Sequence, residues 1–288
     1  MRSVPIPGYR AVGDGASLLC FHCSGSSSGQ WSAMAERLGD SYRVVAVDLA
    51  GYGGSPPWAD DESPSIAGEV ARLADIGRRL PEPVHLVGHS YGGAVALRYA
   101  LSDPGRVASL VLYEPVPFAL LRHGASGRAP LEEIRCVATA IDAAMAAGEV
   151  GVAARRFFDY WSGQGTWDQL LPDVQQRLMR RMRPISDNFR ALMADDTCPR
   201  ELGRLAMPVL YLGGADPRAP VAAIQDVLEV HCPRMESCID PDLGHMGPVS
   251  HPHRVNEHVA RFIALHDHQR NVPSPDWVIG GQALPALA

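Results

Sequence analysis

The chain has 288 residues, 46% hydrophobic and 20% charged, with a formal net charge of −6. That length suits one large α/β domain with an insertion, and the acidic balance lacks the basic footprint of a nucleic-acid partner. All 26 basic side chains other than His are Arg, which excludes a Schiff-base lysine and the lysine of a phosphate-binding P-loop.

In chain order, Met1 to Arg10 carry no apolar signal segment, and no later apolar run approaches span length. A soluble cytoplasmic protein with no membrane partner is therefore expected. Gly13-Asp14-Gly15 reads as the turn of an antiparallel hairpin at a sheet edge. Leu18 to Phe21 is a buried strand that runs into the loop His22-Cys23-Ser24-Gly25. Trp31, Met34, Ala35 and Leu38 fall on one helical face. Arg43 to Val47, Pro83 to Val87, Val107 to Tyr113 and Pro208 to Leu212 are near-continuous apolar runs, as in strands covered on both faces of a parallel sheet. Helices are expected between them at Ile66 to Leu80 and Ala94 to Leu101. This alternation specifies a doubly wound sheet.

After Tyr113 the rhythm breaks. Residues 116–205 hold no convincing strand, and Leu131 to Ala147, Val150 to Trp161, Leu170 to Met182 and Ile185 to Ala194 read as helices of a lid over the sheet edge. The core, 1–115, resumes over 206–266, with a helix at Val221 to Val230, a short strand at Glu236 to Ile239 and a helix at Val255 to Leu265. The tail, 267–288, is rich in Pro and Gly and reads as flexible, with Trp277 and Val278 as its candidate anchors. Cys20, Cys23, Cys136, Cys198, Cys232 and Cys238 are scattered, so reduced thiols are expected. Cys20 and Cys23 share the spacing of redox motifs, but no second pair completes a zinc site and no metal is expected.

The strongest chemical signal is Gly88-His89-Ser90-Tyr91-Gly92-Gly93, set between an apolar strand and an apolar helix. That context belongs to a nucleophile elbow: Ser90 sits strained at the apex of a sharp turn, and glycines clear the space around it. A serine hydroxyl needs a base. His245, in the Gly-flanked loop Asp242-Leu-Gly-His-Met-Gly247 after the last strand, is the candidate. His89 neighbours Ser90 and is expected to point away, and His251-Pro-His253 has no ligand partners. The group that orients the imidazole is assigned to Asp216, after the strand ending at Leu212, because Ser90, Asp216, His245 is the chain order of this architecture. Glu114, Asp240 and Asp242 are the competitors. Oxyanion donors are expected from the backbone N–H groups of Tyr91 and Ser24.

Together, the Ser90 elbow, the His22 loop, Asp48-Leu-Ala-Gly51-Tyr-Gly53-Gly-Ser55, Gly-Gly-Ala-Asp216 and Gly-His245-Met-Gly-Pro resemble the α/β-hydrolase family of serine hydrolases, esterase- and lipase-like members with a helical cap. One departure is His22-Cys23, where many relatives have His-Gly. The resemblance implies a mostly parallel, doubly wound, eight-stranded sheet with a helical cap. It also implies a hydrolase that cleaves a carboxylic ester, thioester or lactone of a small to medium apolar molecule through an acyl-enzyme, without a cofactor. Carbon–carbon bond hydrolysis or perhydrolysis (the cofactor-free haloperoxidase reaction) on the same triad, and a non-catalytic binding protein, are the alternatives. Trp58, Phe157 and Trp161 are the candidate substrate-binding residues. The sequence assigns no oligomeric state.

Overall fold

A computed structural model describes residues 7–267. The tail expectations, Trp277 and Val278 included, lie outside the described residues, as does the start of the N-terminal segment.

The elements run β1 (Tyr9–Val12), β2 (Ala16–Phe21), α1 (Ser32–Leu38), β3 (Tyr42–Val47), α2 (Ile66–Arg78), β4 (Val84–His89), α3 (Tyr91–Ser102) and β5 (Val107–Tyr113). Then come α4 (Arg128–Ala146), α5 (Val150–Ser162), α6 (Thr166–Gln169), α7 (Pro172–Met179), α8 (Met182–Ala194) and α9 (Pro199–Leu202). The chain returns through β6 (Val209–Gly214), α10 (Ala219–His231), β7 (Met235–Asp240), α11 (Gly247–Ser250) and α12 (Pro252–His266). No strand interrupts the helical segment between β5 and β6.

The described strands form one seven-stranded sheet in the order β1-β3-β2-β4-β5-β6-β7, so the expected count of eight is corrected to seven. The expected hairpin is corrected too: β1 pairs antiparallel with β3, not with β2, and every other pairing is parallel. The turn signal at Gly13 was real, but it serves a crossing. Gly13 has φ +83°, and a Cβ there would lie 2.2 Å from the carbonyl oxygens of Gly39 and Tyr42, so only glycine lets the chain pass this close.

The near-continuous apolar strands follow from helices on both faces. Leu19 and Phe21 of β2 face one core with α2, α3 and the insertion helices. Leu18 and Cys20 face the other, with Trp31, Met34 and Leu38 near α1 and Val259, Phe262 and Ile263 of α12. The sheet is thus fixed between two dry layers, and its carboxyl edge, where β4, β5 and β6 end side by side, is a rigid platform.

Candidate active site

β4 passes to α3 through Ser90, whose backbone sits at φ 54°, ψ −116°. The main chain pins this strained turn: Ser90 N–H donates to Tyr113 O at 3.0 Å, and Ser90 O accepts from Gly93 N–H at 2.9 Å and Ala94 N–H at 3.1 Å. The glycines are steric necessities. A Cβ on Gly88 would lie 2.5 Å from Gly92 O, and one on Gly92 would lie 2.4 Å from the carbonyl oxygens of Phe21 and His22. Only two non-glycine residues with positive φ occur among the described residues, Ser90 and Glu114. Such conformations cost about 1–3 kcal/mol each and persist where surrounding structure enforces them.

Those two residues flank one imidazole. His245 Nε2 lies 3.0 Å from Ser90 Oγ, and His245 Nδ1 lies 2.7 Å from Glu114 Oε2. Since a carboxylate only accepts, Nδ1 carries the proton and Nε2 is left to accept from the serine hydroxyl. Ser90 and Glu114 are buried and His245 is half-buried, with the Glu114 and His245 side chains 1% and 8% exposed.

The expected orienting group, Asp216, is corrected to Glu114. Asp216 is exposed two residues past the end of β6, and among the described residues it has no hydrogen bond or ion pair. Gly213 and Gly214 are instead the seat of the Glu114 carboxylate. Gly214 N–H donates to Glu114 Oε1 at 2.9 Å, and a Cβ on Gly213 would come within 3.1 Å of Glu114 Cγ. The reason is topological. β5 lies directly beside β4, so its carboxyl end is one strand from Ser90, whereas β6 lies two strands away. Asp240 and Asp242 are occupied elsewhere: Arg254 bridges both carboxylates, and His258 bonds the first.

The His245 loop is anchored from below. Tyr113 OH donates to Gly244 O at 2.7 Å. The His89 side chain donates from Nε2 to His245 O at 2.8 Å. His89 Nδ1 accepts from Gln30 Nε2 at 3.1 Å, and Gln30 Oε1 accepts from Cys23 N–H at 3.1 Å. Burial holds the His89 imidazole well below its usual pKa, so the ring stays neutral and its tautomer stays fixed. His22 is held the same way, lowered to about 4 mainly by burial, between Cys23 O and the N–H of Leu49.

Around the expected oxyanion donors, neighbouring amides are already used. Cys23 N–H serves Gln30, and Gly25 N–H donates to Tyr52 OH at 3.1 Å. Ser24 N–H, between them, donates to no group in the described residues, nor does Tyr91 N–H at the first position of α3. Asp48 shapes the same loop, its carboxylate accepting from Ser28 N–H at 2.7 Å and Gly54 N–H at 2.9 Å.

Of the candidate substrate residues, Trp161 of α5 stacks on the His245 ring, centroids 4.1 Å apart and planes inclined by 22°. Phe157 sits over Gly25 and packs edge-to-face on Phe189. Trp58 lies away from both, against Gly68 and under the Arg72 guanidinium. Cys20 and Cys23 are buried free thiols, the latter pushed up to about 12 by burial. Among the described residues no cluster of three or more His, Cys, Asp or Glu is placed to hold a metal ion, and no helix is long and apolar enough to cross a membrane.

Sequence reasoning weighed Glu114 only as a competitor to Asp216, gave His89 no part in the site and missed Gln30. A lone carboxylate closing the apolar strand beside the nucleophile strand was the available signal for Glu114.

With this geometry in hand, residues 18–258 match the model of the alpha/beta hydrolase family. A curated relative, the pimeloyl-[acyl-carrier protein] methyl ester esterase of Aeromonas hydrophila, is 31% identical over 260 residues, covering 87% of this chain and 96% of the relative. The corresponding esterase of Aeromonas salmonicida is 30% identical with the same coverage. Among solved structures, an esterase from Rhodococcus sp. aligns with a TM-score of 0.66 at 27% identity, over 90% of this chain and 94% of the other. An esterase from Exiguobacterium antarcticum aligns with a TM-score of 0.71 at 15% identity, over 90% and 95%.

Proposed function

The chain belongs to the alpha/beta hydrolase family, and on that premise we propose that it is a serine hydrolase cleaving carboxylic esters of small to medium apolar molecules through an acyl-enzyme. The observation that carries this reading is the continuous relay Ser90 Oγ, His245, Glu114, with part-buried contacts of 3.0 and 2.7 Å. The curated relatives named as methyl ester esterases support the ester as the scissile group.

Ser90 Oγ attacks the ester carbonyl as Nε2 of His245 takes its proton. The imidazolium forms against Glu114, whose carboxylate holds Nδ1–H and offsets the new charge; it takes no proton itself. The carbonyl oxygen becomes an oxyanion between the amides of Ser24 and Tyr91, the second at the positive end of α3. His245 then returns its proton to the leaving alcohol. Water, activated by the same imidazole, cleaves the acyl-enzyme. The segment 116–205 acts as a cap, with Phe157 and Trp161 lending an apolar roof.

The test is turnover of an activated acyl ester by Ser90→Ala. A fall of roughly 10⁴-fold or more is expected; near-native turnover would show that Ser90 is not the nucleophile. A screen of alkyl esters against vinylogous diketones, and against peroxide plus acetate, should favour the esters. A preference for either of the others would move the chain to carbon–carbon hydrolysis or perhydrolysis.

A further inference from the structure

The two residues whose amides frame the oxyanion position have side chains that converge on a third, Asn188 of α8, which is fully buried in the insertion. Asn188 Oδ1 accepts from Ser24 Oγ at 2.9 Å and from Tyr52 OH at 2.6 Å. The Tyr52 oxygen in turn accepts from Gly25 N–H, so two adjacent residues of the loop are tied to one amide. The Asn188 Nδ2 side lies beside the Tyr91 hydroxyl without reaching hydrogen-bond geometry, and Tyr91 OH donates to buried Glu69 at 3.1 Å. Two further contacts dock α8 on this loop: Arg181 donates to Gly25 O at 2.5 Å, and Ile185 lies against Gly25.

Mere packing would be served by an apolar residue, because burying an amide with one end unpaired costs about 1–3 kcal/mol. An asparagine whose oxygen gathers the loop's hydroxyls is better explained by orientation. Ser26 N–H donates to Cys23 O at 3.2 Å and closes a turn with Gly25 at φ +78°, which fixes the shape of the loop but not its placement against α3.

We propose that Asn188 is a positioning residue: it sets the Ser24 amide against that of Tyr91, so that the oxyanion hole is complete only while α8 is docked. This rests on the serine-hydrolase reading above. Because the oxyanion forms only in the transition state, a displaced donor lowers kcat and leaves substrate binding nearly intact.

The experiment compares Asn188→Ala, Ser24→Ala and the double variant by steady-state ester hydrolysis and by inhibition with an alkyl boronic acid, which forms a tetrahedral adduct on a nucleophilic serine. Ser24→Ala keeps the amide and removes only the tie. Each single variant should lose about tenfold or more in kcat with KM within about threefold, and bind the boronic acid more weakly by the same factor. The double variant should be no worse than the worse single one, since both break one connection. If both variants keep kcat and boronic acid affinity within about twofold, Asn188 being felt only in Tm, the positioning role is overturned. Losses that multiply in the double variant overturn it as well. Should Asn188→Ala fail to fold, Ser24→Ala decides alone. Ser90→Ala runs alongside: if it remains active, the hydrolase reading has failed; if it is inactive while the other variants are unaffected, only this proposal has.

Discussion

The platform beneath the site and the helical insertion above it hold the reacting groups by different means. Below, at the carboxyl ends of β4, β5 and β6, control is exercised through the main chain: Ser90 is pinned by carbonyls, Glu114 is seated on the bare backbone of Gly214, and His245 hangs by its carbonyl from His89. Above, the insertion reaches in with side chains, Trp161 on the imidazole and Asn188 on the oxyanion loop. The lower region thus fixes the relay through backbone atoms of the sheet, and the upper one adds two side-chain contacts from separate helices.

Outside the triad, the largest effect that would sharpen this contrast is expected at His89. His89→Ala removes the donor to His245 O and the link through Gln30 to the oxyanion loop; kcat should fall about a hundredfold with little change in KM, as misplacement of a catalytic group by 1 Å does. A fall under about threefold would mean that the Tyr113 contact alone suffices to hold the loop. The next effect is at the roof. Trp161→Ala should lower kcat/KM by roughly three- to tenfold, the value of an aromatic face beside a forming imidazolium. Unchanged kinetics would reduce the roof to a cover.

The smallest effect is on stability. Burial pushes the Glu69 carboxyl up to about 7, against the N–H of Ala50 and the Tyr91 hydroxyl. With the folded value raised, the native state holds more protons than the unfolded chain between about pH 4.5 and 7, so stability falls as pH rises through that window. Glu69→Gln removes the cost. Relative to the native protein it should gain about 2–3 kcal/mol on going from pH 5 to pH 8, measured by urea unfolding at the two pH values. A difference constant across that range would mean that Glu69 titrates normally.

Much of the lower region was legible in the sequence because its causes are local. An apolar strand, a glycine-cleared apex and an apolar helix define the turn at Ser90, and a Gly-flanked loop after the last strand marks His245. The orienting carboxylate was not legible from chain order. Asp216 and Glu114 both close apolar strands, and only the lateral strand order brings one of them beside Ser90. The pairing of β1 with β3 escaped for the same reason, since a turn glycine does not say which partner waits beyond it. Asn188 sits at an unremarkable point of a helical pattern, 164 residues from Ser24, and only tertiary docking joins them.

The central claim is that the imidazole is oriented by the carboxylate closing β5. Its most direct test is kcat for activated ester hydrolysis by Glu114→Gln and Asp216→Asn, purified side by side with matching Tm. Glu114→Gln should lose roughly 10³–10⁴-fold while Asp216→Asn stays within about twofold of the native enzyme. The reverse pattern, with Asp216→Asn crippled and Glu114→Gln active, would contradict the account.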